Sequence, residues 1–514
     1  MRRGAGETIL VKTGLSGVSE EGALRNLSTE IPAWDFEGVQ RAAADEWEQE
    51  LSRVRIDGGT EKQKTIFYTS LYHSLLAPTL FDDADGQYRG LDGKYHQLKP
   101  GDHNYSTYSL WDTYRAIHPL FTLVQQPRVA GMVNCLIRMS QENPAGPTVW
   151  PLQGKETNCM TGYHSVVVIA EALRKGFGDI DAAAAYAPMR WKGMVDTERN
   201  LDLYREYGFI PCDLTRESIG KTMDYAYDDW AVAHVARAAG NSAEADALIK
   251  RAGSYRNIFD RRVGFVRPRL ASGEWTDPFT PTEVRSNKRW QDFTESNSWQ
   301  ATFAVQHDPH GLAELMGGRR EFEAKLDNLF SADSTLPADA PSDIAGLVGQ
   351  YAHGNEPSHH IAYLYAYAGV PHKTQAMVRH LLDRMYDDQP DGLAGNEDCG
   401  QMSAWYVMSA MGFYAVDPVS AVYVLGTPLF DRVTIDLPSG KNFTVEAKRS
   451  SAKAIYIRSA ALNGKALQGA WFHHGDVAAG GRLVLTMSET PVPEFGSTPA
   501  DAPPSMSTPG HLDV

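Results

Sequence analysis

The sequence lacks several features that would place it in common protein classes. Its four cysteines, Cys135, Cys159, Cys212 and Cys399, lie far apart and form no CxxC pair. This spacing excludes a zinc ribbon and argues against a disulfide framework. No apolar run approaches the roughly 18 residues of a membrane-spanning helix, so we expect no membrane span.

The chain also has fewer basic than acidic residues. The chain has 49 Lys and Arg residues against 64 Asp and Glu residues, a formal net charge of −15. Nucleic acids and anionic membranes are bound through basic patches, so this balance argues against both as main partners. The start, MRRGAGETILVKTG, has no apolar segment typical of a secretory signal. P-loop, GxGxxG and GxSxG motifs are absent, which disfavours a nucleotide enzyme or an acyl hydrolase.

Helical patterns dominate the chain from about residue 60 to 415, after an amphipathic helix predicted over 36–56. Many helices occur in pairs, one rich in aromatic residues and alanine and the next more highly charged. Helices that are apolar nearly all round are buried on both sides. An inner ring of such helices inside an amphipathic outer ring predicts a mostly α fold, an (α/α) toroid. The alternative is an irregular all-α domain or solenoid, for which a fixed repeat period is lacking.

The two ends of the chain differ from this helical region. Residues 7–17 alternate like a strand, and we expect them to be the last strand of a domain, within 1–35, whose remainder the chain lacks. The barrel is predicted over 36–415. Strand-like runs over 416–490, separated by Gly, Pro and Asn, predict a small antiparallel β-domain. The tail 491–514 is rich in Pro, Ser and Thr, which predicts disorder.

Glu295 lies in the segment RWQDFTESNSWQ, among Trp290, Phe293 and Trp299 and just before a predicted helix. A carboxyl group among aromatic rings loses hydration, which disfavours its charged form and raises its pKa. A raised pKa suits a general acid. The alternative is that Glu295 or Thr294 caps the helix.

A second segment, DGLAGNEDCGQMSAWY, places Asn396, Glu397 and Asp398 in a glycine-bounded loop ahead of a buried helix. Clustered acids repel one another, so the loop suggests a bound cation, a proton or a catalytic base. The alternative is an ordinary N-cap formed by Asp398.

A third segment, YAHGNEPSHH, crowds His353, Asn355, Glu356, His359 and His360 into a short turn. Hard oxygen ligands from Asn and Glu suit Ca²⁺. The adjacent histidines do not form the i, i+4 pair of a zinc site, and one of them is expected to be a core residue.

Two further groups suggest carbohydrate binding. In FDDADGQYRGLDG the start resembles an EF-hand loop, but Lys94 stands at position 12, so we predict a sugar-binding loop with Asp85 and Arg89 instead. The other group combines Trp111, Asp112, Arg115, Trp150, Glu156 and His164. Ring faces pack against sugar C–H bonds while fixed acids bind hydroxyls. The alternative is core tryptophans with capping acids, and AYDDW at 226–230 is predicted to be structural.

These segments together resemble glycoside hydrolase family 92, the calcium-dependent exo-α-mannosidases. The resemblance runs from about Leu10 to residue 490 and is carried by motifs such as WPLQGKETNCMTGYHS, TESNSWQ, GQYAHGNEPSHHIAYLYAYAG and GNEDCGQMSAWY. It implies an N-terminal β-sandwich packed on an (α/α)₆ barrel, and hydrolysis with inversion. Residues 1–35 would be the remnant of that sandwich and its linker. The missing part motivates an alternative, a catalytically impaired carbohydrate-binding chain.

The resemblance also implies roles for individual residues. Glu295 would be the general acid and Asp398 the general base, supported by Asn396 or Glu397. Asn355 and Glu356 would bind Ca²⁺, which would hold the mannose 2- and 3-hydroxyls.

The substrate-binding residues would be Asp85, Arg89, Trp111, Asp112, Glu156 and His353, with His353 and Gly354 at the leaving-group subsite. The partners implied are mannose-containing glycans or glycoproteins, such as N-glycans or yeast mannan. Relatives are usually exported, which implies the periplasm or the cell exterior. Cleavage of a glycoprotein amide is a weaker alternative because no Cys-His-Asp arrangement is evident. The sequence leaves linkage and oligomeric state open.

Overall fold

The computed structural model describes residues 9–283, 292–338 and 340–509. Within these ranges the α-helices are α1 (Glu20–Glu30), α2 (Phe36–Leu51), α3 (Glu61–Ser74), α4 (Leu110–Thr113), α5 (Ile117–Val124), α6 (Gln126–Glu142), α7 (Ser165–Arg174), α8 (Ala182–Met194), α9 (Leu201–Tyr207), α10 (Ser218–Ala238), α11 (Ser242–Ala252), α12 (Ser298–Ala301), α13 (Pro309–Met316), α14 (Arg319–Ser331), α15 (Tyr365–Ala368), α16 (Pro371–Arg384), α17 (Gln401–Met411) and α18 (His474–Ala478).

The strands are shorter and concentrate in the last fifth of the chain. They are β1 (Val54–Asp57), β2 (Thr79–Leu80), β3 (Gln87–Arg89), β4 (Tyr95–Gln97), β5 (Tyr105–Ser106), β6 (Pro151–Leu152), β7 (Lys155–Glu156), β8 (Phe259–Asp260), β9 (Phe265–Val266), β10 (Leu347–Val348), β11 (Tyr351–Ala352), β12 (Phe413–Tyr414), β13 (Val422–Leu425), β14 (Arg432–Asp436), β15 (Asn442–Lys448), β16 (Tyr456–Leu462), β17 (Lys465–Leu467), β18 (Trp471–His473) and β19 (Gly481–Ser488).

The helices form a barrel of inner and outer elements, as the sequence predicts. Every residue of α5 and of α17 is buried, so these helices lie inside. Helices α6 and α16 bury one stripe of apolar residues and expose the rest, as outer helices do. The predicted mostly α fold class is therefore confirmed, while the domain boundaries stay predictions.

The β-region packs against one side of the helices as two sheets. The larger sheet has the strand order β1-β14-β15-β19-β16-β17, and the smaller one has the order β12-β13-β18. The predicted small antiparallel β-domain contains one parallel pair, β15 and β19. A parallel pair needs a long crossover, and the chain supplies it through β16, β17, β18 and α18.

The N-terminal part of the chain also differs from the prediction. Of the predicted strand over 7–17, residues 9–17 form no strand, and residues 7 and 8 lie outside the described ranges. The helix predicted over 36–56 ends at Leu51. The residues after it form β1, which pairs antiparallel with β14 at the edge of the larger sheet. The alternating segment at 54–57 finds a partner strand, whereas the one at 9–17 has none, and an unpaired strand is unstable in water.

The C-terminal segment up to residue 509 packs against the barrel. Ser505 donates a hydrogen bond to the fully buried Asp308 at 3.2 Å, and Ser507 donates to the same carboxylate through its amide at 3.0 Å and its hydroxyl at 2.8 Å. Tyr255 and Arg256 donate to Asp308 as well, at 2.8 Å and 2.9 Å. The prediction of disorder from composition is wrong for 491–509, and residues 510–514 lie outside the described ranges.

No helix in the described ranges combines the length and the apolar character needed to cross a membrane.

We predict that the Asp308 carboxylate stabilises the fold in its ionised form. Burial alone would raise the pKa of Asp308, but His307 and the hydrogen bonds from Tyr255 and Ser507 outweigh burial and hold the pKa below its ordinary value. Asp308→Asn should lower the free energy of unfolding by roughly 3 kcal/mol at pH 7, since it breaks a buried charged network.

The check is denaturant unfolding of both proteins at several pH values. A carboxylate with a lowered pKa contributes stability that is present above its unfolded pKa of about 4 and is lost as the pH falls below it. The difference between wild type and Asp308→Asn should therefore shrink below pH ~4. Glu30→Ala, on the exposed end of α1, should stay within about 0.5 kcal/mol of wild type. A pH-independent difference would contradict this account.

Candidate active site

Four segments that are distant in sequence meet at one place in the barrel. The Asn355 side chain donates a hydrogen bond to the backbone oxygen of Glu295 at 2.9 Å and to its Oε2 at 3.3 Å. One carboxylate oxygen from each of Asp112, Glu356 and Asp398 lies within 4.8 Å of the others. The adjacent residues Asn355 and Glu356 thus connect the predicted general acid to the predicted general base.

Glu295 is not a helix cap. The cap of α12 is Asn297, whose side chain accepts from the amides of Trp299 at 3.0 Å and Gln300 at 3.4 Å. Glu295 itself has a φ of +47°, in the left-handed region, and its carboxyl group is left for another role. The structure therefore decides against the capping alternative for Glu295. Thr294 does not cap either, because its hydroxyl is directed to Glu217 at 3.4 Å.

The pKa of the Glu295 carboxyl group lies close to neutral pH. Burial raises its pKa to about 7, the Asp343 charge raises it as well, and the hydrogen bond from Asn355 opposes both. A group that is partly protonated near pH 7 can give a proton to a departing oxygen. Of the predicted aromatic neighbours, Trp299 packs on Phe265 at 4.8 Å, and Trp290 lies outside the described residues.

The three clustered carboxylates are the most unusual feature of the site. Glu356 and Asp112 are 0% and 2% exposed, and neither carboxylate oxygen of Glu356 has a hydrogen-bond donor among the described residues. Burial and the neighbouring acids raise the pKa of Glu356 and of Asp112 well above the ordinary range. The Ser109 hydroxyl donates to Asp112 and opposes its shift.

These residues fit a hard divalent cation. Burying a charge without a partner is costly. The Arg115 charge opposes the raised pKa of Glu356, but no described residue donates a hydrogen bond to either of its carboxylate oxygens. A donor set made of carboxylate oxygens, with the amide oxygen of Asn355 next to it in the chain, is what Ca²⁺ prefers. Asp112, Glu356 and Asp398 would hold the ion, so Asp112 joins the cluster rather than acting only on sugar.

The loop before α17 decides which acid of the triplet enters the cluster. Asp398 and Cys399 have φ values of +46° and +57°, which cost energy for non-glycine residues. Glu397 holds this conformation, because its carboxylate accepts from the Ser403 amide at 3.1 Å, the Ser403 hydroxyl at 2.7 Å and a ring nitrogen of His73 at 2.9 Å. Only Asp398 reaches the cluster, while Asn396 is exposed.

His353 does not have the position of a substrate-binding side chain. It is fully buried, and its two ring nitrogens lie 2.8 Å from the Tyr351 hydroxyl and 2.9 Å from the Tyr386 hydroxyl. Burial lowers its pKa to about 3. The sequence pattern does not reveal this, since a histidine in a turn can face either the core or the solvent. His359 and His360 are buried too, so the expected core histidine is found at both positions.

Two other predicted sugar-binding residues, Trp111 and Glu156, form hydrogen bonds with residues outside the carboxylate cluster. Trp111 is buried and its indole nitrogen donates to Asp224 at 3.3 Å. Glu156 accepts from the amides of Val149, Trp150 and Asn158 at 2.8–2.9 Å, so it shapes the turn around β6 and β7.

Asp85 lies in the turn before β3, and Arg89 is the last residue of β3. Asp85 is paired with Arg25 and accepts from Gln87, whereas Arg89 is exposed. Their sugar-binding roles stay predictions.

Two acids of the AYDDW segment are structural, as predicted. Asp228 lies 2.7 Å from a ring nitrogen of His164 and accepts from the Tyr163 amide at 2.9 Å. Asp229 is paired with Arg251 at 2.5 Å. The sequence pattern grouped His164 with the sugar-binding residues, but its contact with Asp228 and its burial make it a core residue.

No sequence pattern indicated one acid near the site, Asp343. Its charge raises the pKa of both Glu295 and Asp398, so it lies within electrostatic reach of both. It stands in the segment PSDIAGL, which has neither the aromatic neighbours nor the paired acids that indicated the other residues. Asp343 is recognised only in the folded structure, where its segment comes close to those of Glu295 and Asp398.

Comparisons with known proteins identify the family of this chain. The profile of the glycosyl hydrolase family 92 catalytic domain matches residues 22–489. The family GH92 α-mannosidase BT3965 from Bacteroides thetaiotaomicron, solved with mannoimidazole, has a TM-score of 0.91 and 38% sequence identity, over 96% of this chain and 65% of that one. The GH92 inverting mannosidase BT2199 from the same species has a TM-score of 0.87 and 36% identity, over 96% of this chain and 68% of that one.

A curated relative from Arthroderma benhamiae, described as an uncharacterized secreted glycosidase, is 28% identical over 541 residues. The match covers 97% of this chain and 63% of that protein. The chain thus spans about two thirds of the length of the relatives it matches. On the family profile and on these identities, this chain belongs to glycosyl hydrolase family 92.

Proposed function

We propose that this protein is a Ca²⁺-dependent, inverting exo-α-mannosidase that removes terminal mannose from N-glycans or mannan. The observation that carries the proposal is the link from Glu295 through Asn355 and Glu356 to Asp398, which brings two carboxyl groups to one place. Solved relatives at 38% and 36% identity are described as an α-mannosidase and an inverting mannosidase, which supports the reaction class.

Glu295 is the proposed general acid. It gives its proton to the glycosidic oxygen as the bond from that oxygen to C1 of mannose breaks. Its raised pKa keeps the proton available near neutral pH, and the bond from Asn355 fixes the orientation of the carboxyl group.

Asp398 is the proposed general base. It is the partly exposed member of the carboxylate cluster, whereas Asp112 and Glu356 are buried, so it is the member that water and sugar can reach. Asp398 takes a proton from a water molecule that attacks C1 on the face opposite the leaving group, which gives β-mannose as the product. Glu397 acts as a positioning residue through Ser403 and His73.

Asp112, Glu356 and Asp398 are the proposed protein ligands of Ca²⁺, with the amide oxygen of Asn355 as a further ligand. When bound, the ion supplies a positive charge for the mannose 2- and 3-hydroxyls and favours a flattened sugar ring. No described residue donates a hydrogen bond to either carboxylate oxygen of Glu356, and the Arg115 charge offsets its burial only in part, so we assign Glu356 mainly to this role. Mannose-terminated glycans or glycoproteins are the proposed partners, in the periplasm or outside the cell.

A second candidate is carbohydrate binding without turnover. The observation that favours it is length, since the chain spans 65% and 63% of two of its matched relatives. Binding of mannobiose without release of mannose, under conditions that saturate the site with Ca²⁺, would support this candidate over the enzyme.

We predict that Glu295→Gln lowers kcat on a mannobiose by about 10²–10⁴-fold, because the variant cannot protonate the departing oxygen. The loss should be much smaller on a 2,4-dinitrophenyl mannoside, whose leaving group needs no proton. Steady-state kinetics on both substrates provide the measurement. The exposed Glu274→Gln is a matched control and should keep the wild-type rate on both. Equal losses on the two substrates would contradict the role of Glu295.

We predict that Glu356→Gln weakens Ca²⁺ binding by at least 10-fold, because it removes the charge of the fully buried ligand. Isothermal titration calorimetry of the chelator-treated protein with CaCl₂ measures this directly. The exposed Glu274→Gln provides the comparison, and its Ca²⁺ affinity should stay within about threefold of wild type. If a folded Glu356→Gln protein binds Ca²⁺ as tightly as wild type, Glu356 is not a Ca²⁺ ligand.

A further inference from the structure

A second cavity, of about 590 Å³, lies between the barrel and the C-terminal segment. None of the carboxylates of the candidate active site lines it. Its lining residues include Arg174, His310, Arg319, Trp471 and His473, together with a single carboxylate, Glu314, and residues of the 499–509 segment. The family profile ends at residue 489, so one wall of this cavity lies beyond the matched domain.

Arg319 is the most unusual residue of this cavity. Its Nε donates to the Ala368 carbonyl at 3.1 Å, while its buried Nη2 has no hydrogen-bond acceptor in the described part of the chain. No carboxylate of the described residues lies within ion-pair distance of it. Burial lowers the pKa of Arg319, and the charge of Asp501 opposes this shift without cancelling it.

The side chains that line this cavity carry more positive than negative charge, although the Asp501 carboxylate acts on Arg319 from outside the lining. The whole chain carries a net charge of −15, yet this cavity is lined by two arginines and one glutamate. Arg174 is the last residue of α7 and lines the same space. His310 is bonded to the Pro503 carbonyl at 2.8 Å, which ties the C-terminal segment to this side of the cavity. A local positive excess in an acidic protein favours an anionic ligand.

Trp471 supplies the apolar part of the cavity. Its indole nitrogen donates to the Asp501 carbonyl at 3.0 Å, which fixes the ring while leaving it half buried at the cavity wall. Pro499 and Pro504 of the C-terminal segment add further apolar surface. An aromatic ring beside guanidinium groups matches a sugar ring that carries an anion, because C–H bonds pack on the indole while the anion binds the arginine fork.

We propose that this cavity is a second saccharide site, specific for a sugar that bears a phosphate or a carboxylate. The anion binds Arg319 and Arg174, and the sugar ring packs on Trp471. A cavity of this size accommodates a mono- or disaccharide. The site does not depend on the mannosidase proposal, because it shares no residue with the carboxylate cluster.

Isothermal titration calorimetry of the full chain tests this site with four probes: glucose 6-phosphate, glucuronate, glucose and inorganic phosphate. Glucose 6-phosphate and glucuronate should bind, and glucose should bind at least 10-fold more weakly than either. Inorganic phosphate should bind more weakly than glucose 6-phosphate, because it lacks the ring that packs on Trp471.

Four variants test which residues bind the anion and which bind the sugar ring. Arg319→Gln should weaken glucose 6-phosphate binding at least 10-fold, whereas Arg319→Lys, which keeps the charge but loses the planar fork, should lie between it and wild type. Trp471→Ala should weaken glucose 6-phosphate but not inorganic phosphate. Glu314→Gln, which removes the one carboxylate of the lining, should strengthen both anions. Thermal unfolding confirms that each variant is folded, and Glu314→Gln and Trp471→Ala test the site if Arg319→Gln does not fold.

Three results would overturn the proposal. If glucose 6-phosphate binds wild type and a folded Arg319→Gln protein with equal affinity, Arg319 does not bind the anion. Equal affinity of glucose and glucose 6-phosphate would remove the charge selectivity. Inorganic phosphate that binds as tightly as glucose 6-phosphate would exclude a sugar ring on Trp471.

Discussion

The mutual repulsion of Asp112, Glu356 and Asp398 is the constraint on which this site depends. One carboxylate oxygen of each lies within 4.8 Å of the others. Burial raises the pKa of Glu356 and of Asp112, and the Asp398 charge raises both further. Such a cluster is unfavourable unless positive charge is supplied. The fold therefore keeps together three acids that a bound cation would stabilise. This is the expected property of a binding site rather than of a structural core.

The surrounding structure maintains this arrangement. Glu397 holds the strained backbone at Asp398 and Cys399 by accepting hydrogen bonds from Ser403 and contacting His73. Gly400, with a φ of +90°, follows directly, and a β-carbon there would lie 2.8 Å from the His73 carbonyl oxygen. The loop is thus fixed against α3 on one side and α17 on the other, so its strain is offset by packing of fully buried inner helices.

The sequence predicts the scaffold better than the directions of side chains. Alternating apolar and charged helices indicated the barrel, because burial on two sides leaves a compositional trace that is local in the chain. The acids Glu295, Glu356 and Asp398 were also indicated locally, by aromatic neighbours or by crowding. The choice of Asp398 over Glu397 was not predictable, since it depends on backbone dihedrals that adjacent residues of the same type do not reveal.

Other features depended on contacts between distant segments. His353 is enclosed by Tyr351 and Tyr386, which a turn motif does not indicate. Asp112 was predicted as a sugar contact because its partners in the cluster are more than 200 residues away in the chain. The C-terminal segment has the composition of a disordered tail, yet its serines satisfy the buried Asp308. In each case the missing information was tertiary.

A crystal structure of the protein grown with Ca²⁺, with the ion located by anomalous scattering, tests the central claim most directly. The account predicts one cation with oxygen atoms of Glu356 and of at least one other member of the cluster at 2.3–2.6 Å, and Glu295 across the same cavity. A cation bound elsewhere, with the three carboxylates turned apart, would contradict it.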